Sequence, residues 1–160
     1  MKRLVGMADV ITPNFTEAAF LLDEPFKEII EESEIKEWAR RLSDKGPRMV
    51  VISSVPVPSK KRVSSVVAFD RDDGRFWKVD CDYIPAYYPG TGDAFASVIV
   101  GSLLQGDSLP IALDRAVQFI SMAIRATFGY TYPAREGVML ERVLANLRAP
   151  VTSWSYEMME

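Results

Sequence analysis

Two rhythms of apolar and polar residues run along this chain, and each marks a kind of element. Ala8 to Ile11 and Met49-Val50-Val51-Ile52 are short runs of the length and branched content expected of buried strands. The first is stopped by Thr12-Pro13-Asn14. Elsewhere the apolar residues recur three and four positions apart. Ile35, Trp38, Ala39 and Leu42 share one face of a helix predicted over 33–45 and ended by Gly46-Pro47. Leu113, Val117, Ile120, Ile124 and Phe128 form the expected buried stripe of a helix over 109–128. Further helices are predicted over 16–22, capped by Asn14 or Thr16, over 94–105, and over 138–147.

Residues 63–70 and 75–80 read as two strands joined at Asp72-Asp73-Gly74, a hairpin signal. The two prolines within 55–59 predict a loop, as do the aromatic and proline-rich stretch 83–89 and the segment 129–137. The tail 156–160 is expected to be frayed. Met1 to Met7 reads as the last turns of a helix with Gly6 near its end, which suggests that something upstream is missing. Strands alternating with helices indicate an α/β layered domain. Three or four strands against five helices make a lopsided sheet, which half of a larger sheet explains.

Composition narrows the choices. The 160 residues fit a single domain, 48% apolar and 26% charged. A net charge of -3 gives no basic surface for nucleic acid, and the Lys60-Lys61-Arg62 run reads as a solvated loop. One cysteine, Cys81, and no histidine exclude an internal disulfide, a Ser-His-Asp triad and a Cys-His zinc site. Cys81 is read as inert, and a reducing cytoplasm is the expected location. No apolar run approaches the roughly 20 residues that span a bilayer. Trp38, Trp77, Tyr87 and Tyr88 are expected to pack rather than to stack on a ligand.

Three places carry candidate chemistry. In Pro89-Gly90-Thr91-Gly92-Asp93, two glycines ahead of a helix let backbone N–H groups converge, and the helix dipole adds positive potential, which together make an anion nest. A carboxylate placed there suits a general base that deprotonates an attacking hydroxyl while the nest holds a phosphoryl group. Taken alone, the tetrapeptide is as simply a helix cap. A dinucleotide fingerprint fits poorly, since Phe95 fills the place of its third glycine and no strand directly precedes it. Asn14 and Glu17, three apart at a strand-to-helix junction, offer hard oxygens suited to magnesium, or equally a capping arrangement. Ser53 and Ser54 follow a strand end, where open α/β sheets bind ligands, or are simple loop polarity.

In order along the chain, these segments resemble the ribokinase-like superfamily, pyridoxal kinases most closely. Residues 8–18 look like that family's strand leading to its Asn-x-x-Glu motif, 90–95 like its anion hole and catalytic aspartate, and 135–141 like a closing segment of bacterial members. The resemblance implies an α/β fold with a mostly parallel sheet, here partial, helices on both faces and a β-hairpin. Residues 1–160 would then form one domain, the carboxy-terminal half of a kinase nearly twice as long. It implies ATP-dependent phosphorylation of the 5'-hydroxymethyl of pyridoxal, pyridoxine or pyridoxamine. Asp93 would be the base, and the backbone of Gly90, Thr91 and Gly92 would hold the γ-phosphate. Asn14 and Glu17 would position Mg2+ through water, Thr12 and Ser53 would lie near the ATP phosphates, and the 128–138 loop would contact adenine.

The partners implied are a small-molecule B6 vitamer, with no nucleic acid or membrane, and a homodimer in the full-length form. A hydroxymethylpyrimidine kinase is the nearest alternative, although such enzymes often carry Cys at the base position, and a sugar kinase is another. A half-sheet also leaves an edge strand and an apolar face uncovered, which suits a non-catalytic nucleotide-binding or interaction module.

Overall fold

The structure, a computed structural model, describes residues 2–57, 63–82, 84–131, 133–149 and 154–160. They form two compact units, Met1–Asp80 with Glu157–Glu160, and Cys81–Tyr156. In chain order the elements are α1 (Lys2–Val5), β1 (Val10–Ile11), α2 (Phe15–Leu22), α3 (Glu32–Ser43), β2 (Met49–Pro56), β3 (Val63–Asp70) and β4 (Arg75–Asp82). They continue with α4 (Thr91–Leu104), α5 (Leu109–Phe128), three short 3-10 turns and β5 (Tyr156–Met159).

The five strands make one open sheet in the order β1-β2-β3-β4-β5. It is mixed. Val10 and Ile11 run parallel to Met49 and Val50, whereas β2 runs antiparallel to β3 with Val51 opposite Ala68 and Ile52 opposite Val67. The parallel part expected of the fold is carried by β1 and β2. Met49, Val50, Val51 and Ile52 are buried in succession rather than alternately, as in a central strand. Helices α2 and α3 bury Phe15, Ala18, Ala19 and Leu22 with Ile35, Trp38, Ala39 and Leu42 in a core shared with Val50, Ile52, Val67 and Phe69. Trp38, 1% exposed, stacks on Phe15 with ring centroids 5.2 Å apart. The Lys2 ammonium, 2.6 Å from Asp23, holds that exposed carboxyl below its usual range.

In the second unit, α4 packs against α5. Asp114 on α5 is fully buried and accepts the N–H and the hydroxyl of Ser155 at 3.1 and 2.6 Å and the Gln118 amide at 2.9 Å. The buried face of α5 differs from the predicted stripe. Leu113 and Val117 are buried, Ile120 and Ile124 are half-buried, and Phe128 is 54% exposed. Leu109, Phe119 and the small residues Ala112, Ala116, Ala123 and Thr127 complete the buried face instead.

Other expectations change. Val55 and Pro56 belong to β2 rather than to a loop, because a register shift between Ile52 and Val55, with Ser54 at φ 58, lets the strand resume pairing with Ser65 and Ser64. Pro58, Ser59 and the Lys60-Lys61-Arg62 run lie outside the described residues, as does Tyr83. The predicted 138–147 helix is instead the 3-10 turns Leu140–Arg142 and Leu144–Arg148, with a third at Ala134–Glu136. The tail is strand β5, with Met159 buried. Tyr88 packs as expected, at 9% exposure, but Tyr87 is 82% exposed. Among the described residues no helix is long and apolar enough to cross a membrane.

Because Trp38 is the hub of this core, Trp38→Ala is expected to cost about 3–5 kcal/mol. Urea unfolding checks this, and a loss under 1 kcal/mol contradicts the packing described.

Candidate active site

In the first unit the sheet brings its candidates to the carboxyl end of β1 and to the bulge in β2, so Ser53 and Ser54 lie within β2 rather than after a strand end as expected. Thr12 and Pro13 follow β1, and the Pro13 carbonyl accepts the Ser53 N–H at 3.0 Å. Asn14, past the end of β1, forms an isolated parallel bridge with Ser53 of β2, so these two predicted residues are neighbours. Asn14 then caps α2. Its Oδ1 accepts the Glu17 N–H at 2.9 Å, and Glu17 Oε2 accepts the Asn14 N–H at 2.8 Å. This capping box holds both side chains in the helix's first turn.

Those bonds also test the fit to magnesium. Each side-chain oxygen in the box accepts one N–H and keeps further lone pairs, and the second Glu17 oxygen adds more. Magnesium keeps several waters and takes few protein oxygens where phosphate supplies others, so this pair fits it. Among the described residues no cluster of three His, Cys, Asp or Glu side chains stands ready to hold a metal by itself.

A cleft of about 350 Å³ opens here, lined by Asn14, Phe15, Thr16, Phe26, Lys27, Glu28, Ser54 and Pro56. The 26–28 part comes from the α2–α3 connection, which carries no motif. Lys27 is ion-paired with Glu34. Ser54, exposed at φ 58, holds a left-handed conformation costing about 1 kcal/mol for a residue with a side chain.

In the second unit the structure gathers Gly90, Thr91, Gly92 and Asp93 at the start of α4. The helix begins at Thr91, three residues earlier than predicted, so Gly92 and Asp93 lie within its first turn. Gly90 is the N-cap at φ 83, a left-handed entry natural to glycine, and no side chain caps the end. The first bond of the helix runs from the Ala94 N–H to the Gly90 carbonyl at 3.0 Å. The N–H groups of Thr91, Gly92 and Asp93 therefore have no carbonyl of their own helix to receive them. A Cβ on Gly90 or Gly92 would meet nothing within 4 Å, so the α-carbons of both glycines border open space. The Thr91 hydroxyl donates to the Tyr88 carbonyl at 3.1 Å, and the Asp93 side chain is exposed. This helix end offers backbone donors to an anion and a carboxylate in the same turn.

The class of protein follows from the fold. The chain has the fold of the ribokinase-like kinases: pyridoxal kinase from Leishmania donovani, in complex with ADP and pyridoxamine, matches with a TM-score of 0.83 at 23% identity, over 99% of this chain and 54% of that one. More narrowly, the chain belongs to the phosphomethylpyrimidine kinase family, whose model matches residues 1–136. A candidate phosphomethylpyrimidine kinase from Bacteroides thetaiotaomicron, in a crystal form with pyridoxal, is 58% identical with a TM-score of 0.94, over 99% of this chain and 55% of that one. The chloroplastic thiamine biosynthetic bifunctional enzyme TH1 of Arabidopsis thaliana is 32% identical over 124 residues, 77% of this chain. The chain spans 23% of that enzyme's length and about half of the two structures'.

Asn14→Ala removes the side-chain half of the capping box and is expected to cost about 1 kcal/mol, while Asn14→Asp retains an acceptor and most of that stability. Denaturant melts of the two variants compare them; equal losses contradict the capping role.

Proposed function

We propose that the protein carrying these residues transfers the γ-phosphoryl group of ATP to the hydroxymethyl oxygen of a B6 vitamer, pyridoxal first. The observation that carries this reading is the open first turn of α4, where a left-handed glycine leads backbone N–H groups that no carbonyl of their own helix and no side-chain cap receives, and Asp93 stands in the same turn. A nest without a carboxylate would suit simple phosphate binding; adding one suits deprotonation of an incoming hydroxyl.

In this mechanism Asp93 takes the proton of the acceptor hydroxyl. The freed oxygen bonds the γ-phosphorus as the bond to the bridging β,γ-oxygen breaks, and ADP leaves with the electron pair. The amides of Gly90, Thr91 and Gly92 hold the charge on the transferring group, so that catalysis is mainly positioning and electrostatics. Asn14 and Glu17 would hold magnesium through water, and the ion would supply neutralisation of the triphosphate. Thr12 and Ser53 stand beside the phosphates. The same reading has the whole protein act in the cytoplasm as a homodimer.

Pyridoxal is the acceptor of choice because the 58% identical Bacteroides protein was crystallised with it. A hydroxymethylpyrimidine is the second reading, favoured by the family description. The chemistry is the same, a ring hydroxymethyl attacking ATP. The experiment is ATP-dependent phosphorylation of pyridoxal, hydroxymethylpyrimidine and ribose by the longest in-frame product containing this chain. Phosphorylation of pyridoxal above the other two supports the reading, preference for the pyrimidine selects the second, and silence on all three refutes both.

Asp93→Asn keeps the shape and removes the base. Turnover is expected to fall on the order of 100-fold or more with Mg-ATP affinity nearly unchanged. Steady-state kinetics with a parallel nucleotide titration checks this, and near-normal turnover removes Asp93 from the mechanism.

A further inference from the structure

The segment after α5 returns to the nest and touches it from outside the motif. Gly137 sits at φ 77 and ψ -157, a region open to glycine alone, and a Cβ built there would stand 3.0 Å from the Pro89 carbonyl oxygen. Position 137 thus excludes a side chain for two separate reasons, its own backbone and the neighbour it meets. Two residues on, the Met139 N–H donates to Thr127 Oγ1 at 2.9 Å. Thr127 is fully buried near the end of α5, and its hydroxyl donates in turn to the Ala123 carbonyl at 2.8 Å. A residue needed only to fill space there could be valine. The hydroxyl's two bonds anchor the returning segment to α5.

The point of contact matters because of peptide geometry. The Pro89 carbonyl and the Gly90 N–H belong to one rigid plane, so displacing the oxygen turns the amide. The preceding carbonyl, that of Tyr88, is held by the Thr91 hydroxyl at 3.1 Å, and Tyr88 is itself buried. Of the two peptide units leading into the left-handed Gly90, the first is held by the motif's own threonine, and the second has its carbonyl close beside Gly137.

We propose that Gly137 and Thr127 are positioning residues for the anion nest, with the 137–139 segment acting as a brace that sets the peptide plane entering Gly90 and so the aim of the nest amides. The inference rests on reading the nest as a phosphate site, and it adds two residues from outside the glycine-rich motif.

The test titrates the 160-residue chain with inorganic tripolyphosphate and Mg2+ by calorimetry. It compares the parent, Gly137→Ala, Thr127→Val and Thr127→Ser at a temperature where thermal melts show each to be folded. A residue that serves stability alone lowers the melting point and leaves the affinity of the folded protein unchanged. The brace predicts that Gly137→Ala and Thr127→Val bind about tenfold more weakly, while Thr127→Ser, which keeps the hydroxyl, stays within about twofold of the parent. If Gly137→Ala does not fold, the Thr127 pair decides. Parent-like affinity in Thr127→Val, or in a folded Gly137→Ala, overturns the brace and leaves the nest standing. A parent chain that takes up no tripolyphosphate overturns the phosphate reading and the brace with it.

Discussion

The first turn of any α-helix carries backbone N–H groups that nothing inside the helix can receive, and this molecule meets that need in opposite ways at two of its helix ends. At α2 the end is closed. Asn14 and Glu17 exchange bonds with each other's backbone, which anchors both side chains at the carboxyl end of the parallel strand pair. At α4 the end is open, entered through a left-handed glycine with no side-chain cap and with open space beside the α-carbons of Gly90 and Gly92. A closed end presents side-chain oxygens, which suit a hydrated cation, whereas an open end presents amide hydrogens, which suit an anion.

The elements read most accurately from the sequence are those whose signal is local. Helix α5 spans Leu109–Phe128 as predicted, β3 spans Val63–Asp70 as predicted, and α3 buries the four residues expected of it. The failures share a different cause, since each depends on partners remote in sequence. Pro56 remains in β2 because the bulge at Ser54 restores pairing with β3. The tail becomes β5 because the sheet offers it an edge and Met159 a place to be buried. Residues 138–147 have helical spacing on paper, but of their apolar side chains Leu144 is 52% exposed and Val143 is buried, and so short an amphipathic helix needs a buried face to persist. The stripe on α5 was misplaced for a related reason. Periodicity marks the largest side chains, while the buried face also takes in the alanines beside them.

The candidate site divides along the same line. Asn14 with Glu17, and Gly90 through Asp93, were legible because each set lies within one turn of chain. The bridge between Asn14 and Ser53 needed the strand register, and the cleft wall from Phe26, Lys27 and Glu28 needed the course of a connection with no motif of its own. Thr127 carried no functional signal, and Gly137 was marked only as part of the 135–141 segment and the 128–138 loop, not for its approach to the nest. Their meaning lies in an approach to Pro89 and a bond to Met139 that exist only in the fold.

The central claim is that the amides at the start of α4 receive phosphate. The most direct measurement follows the backbone amide resonances of the isotopically labelled chain while a non-hydrolysable Mg-ATP analogue is added. The account predicts that the Gly90, Thr91 and Gly92 amides move together, saturably and downfield, as their hydrogens are taken up by phosphate oxygens. If the analogue binds and perturbs other amides while these three stay in place, the nest does not hold the phosphate and the account is wrong.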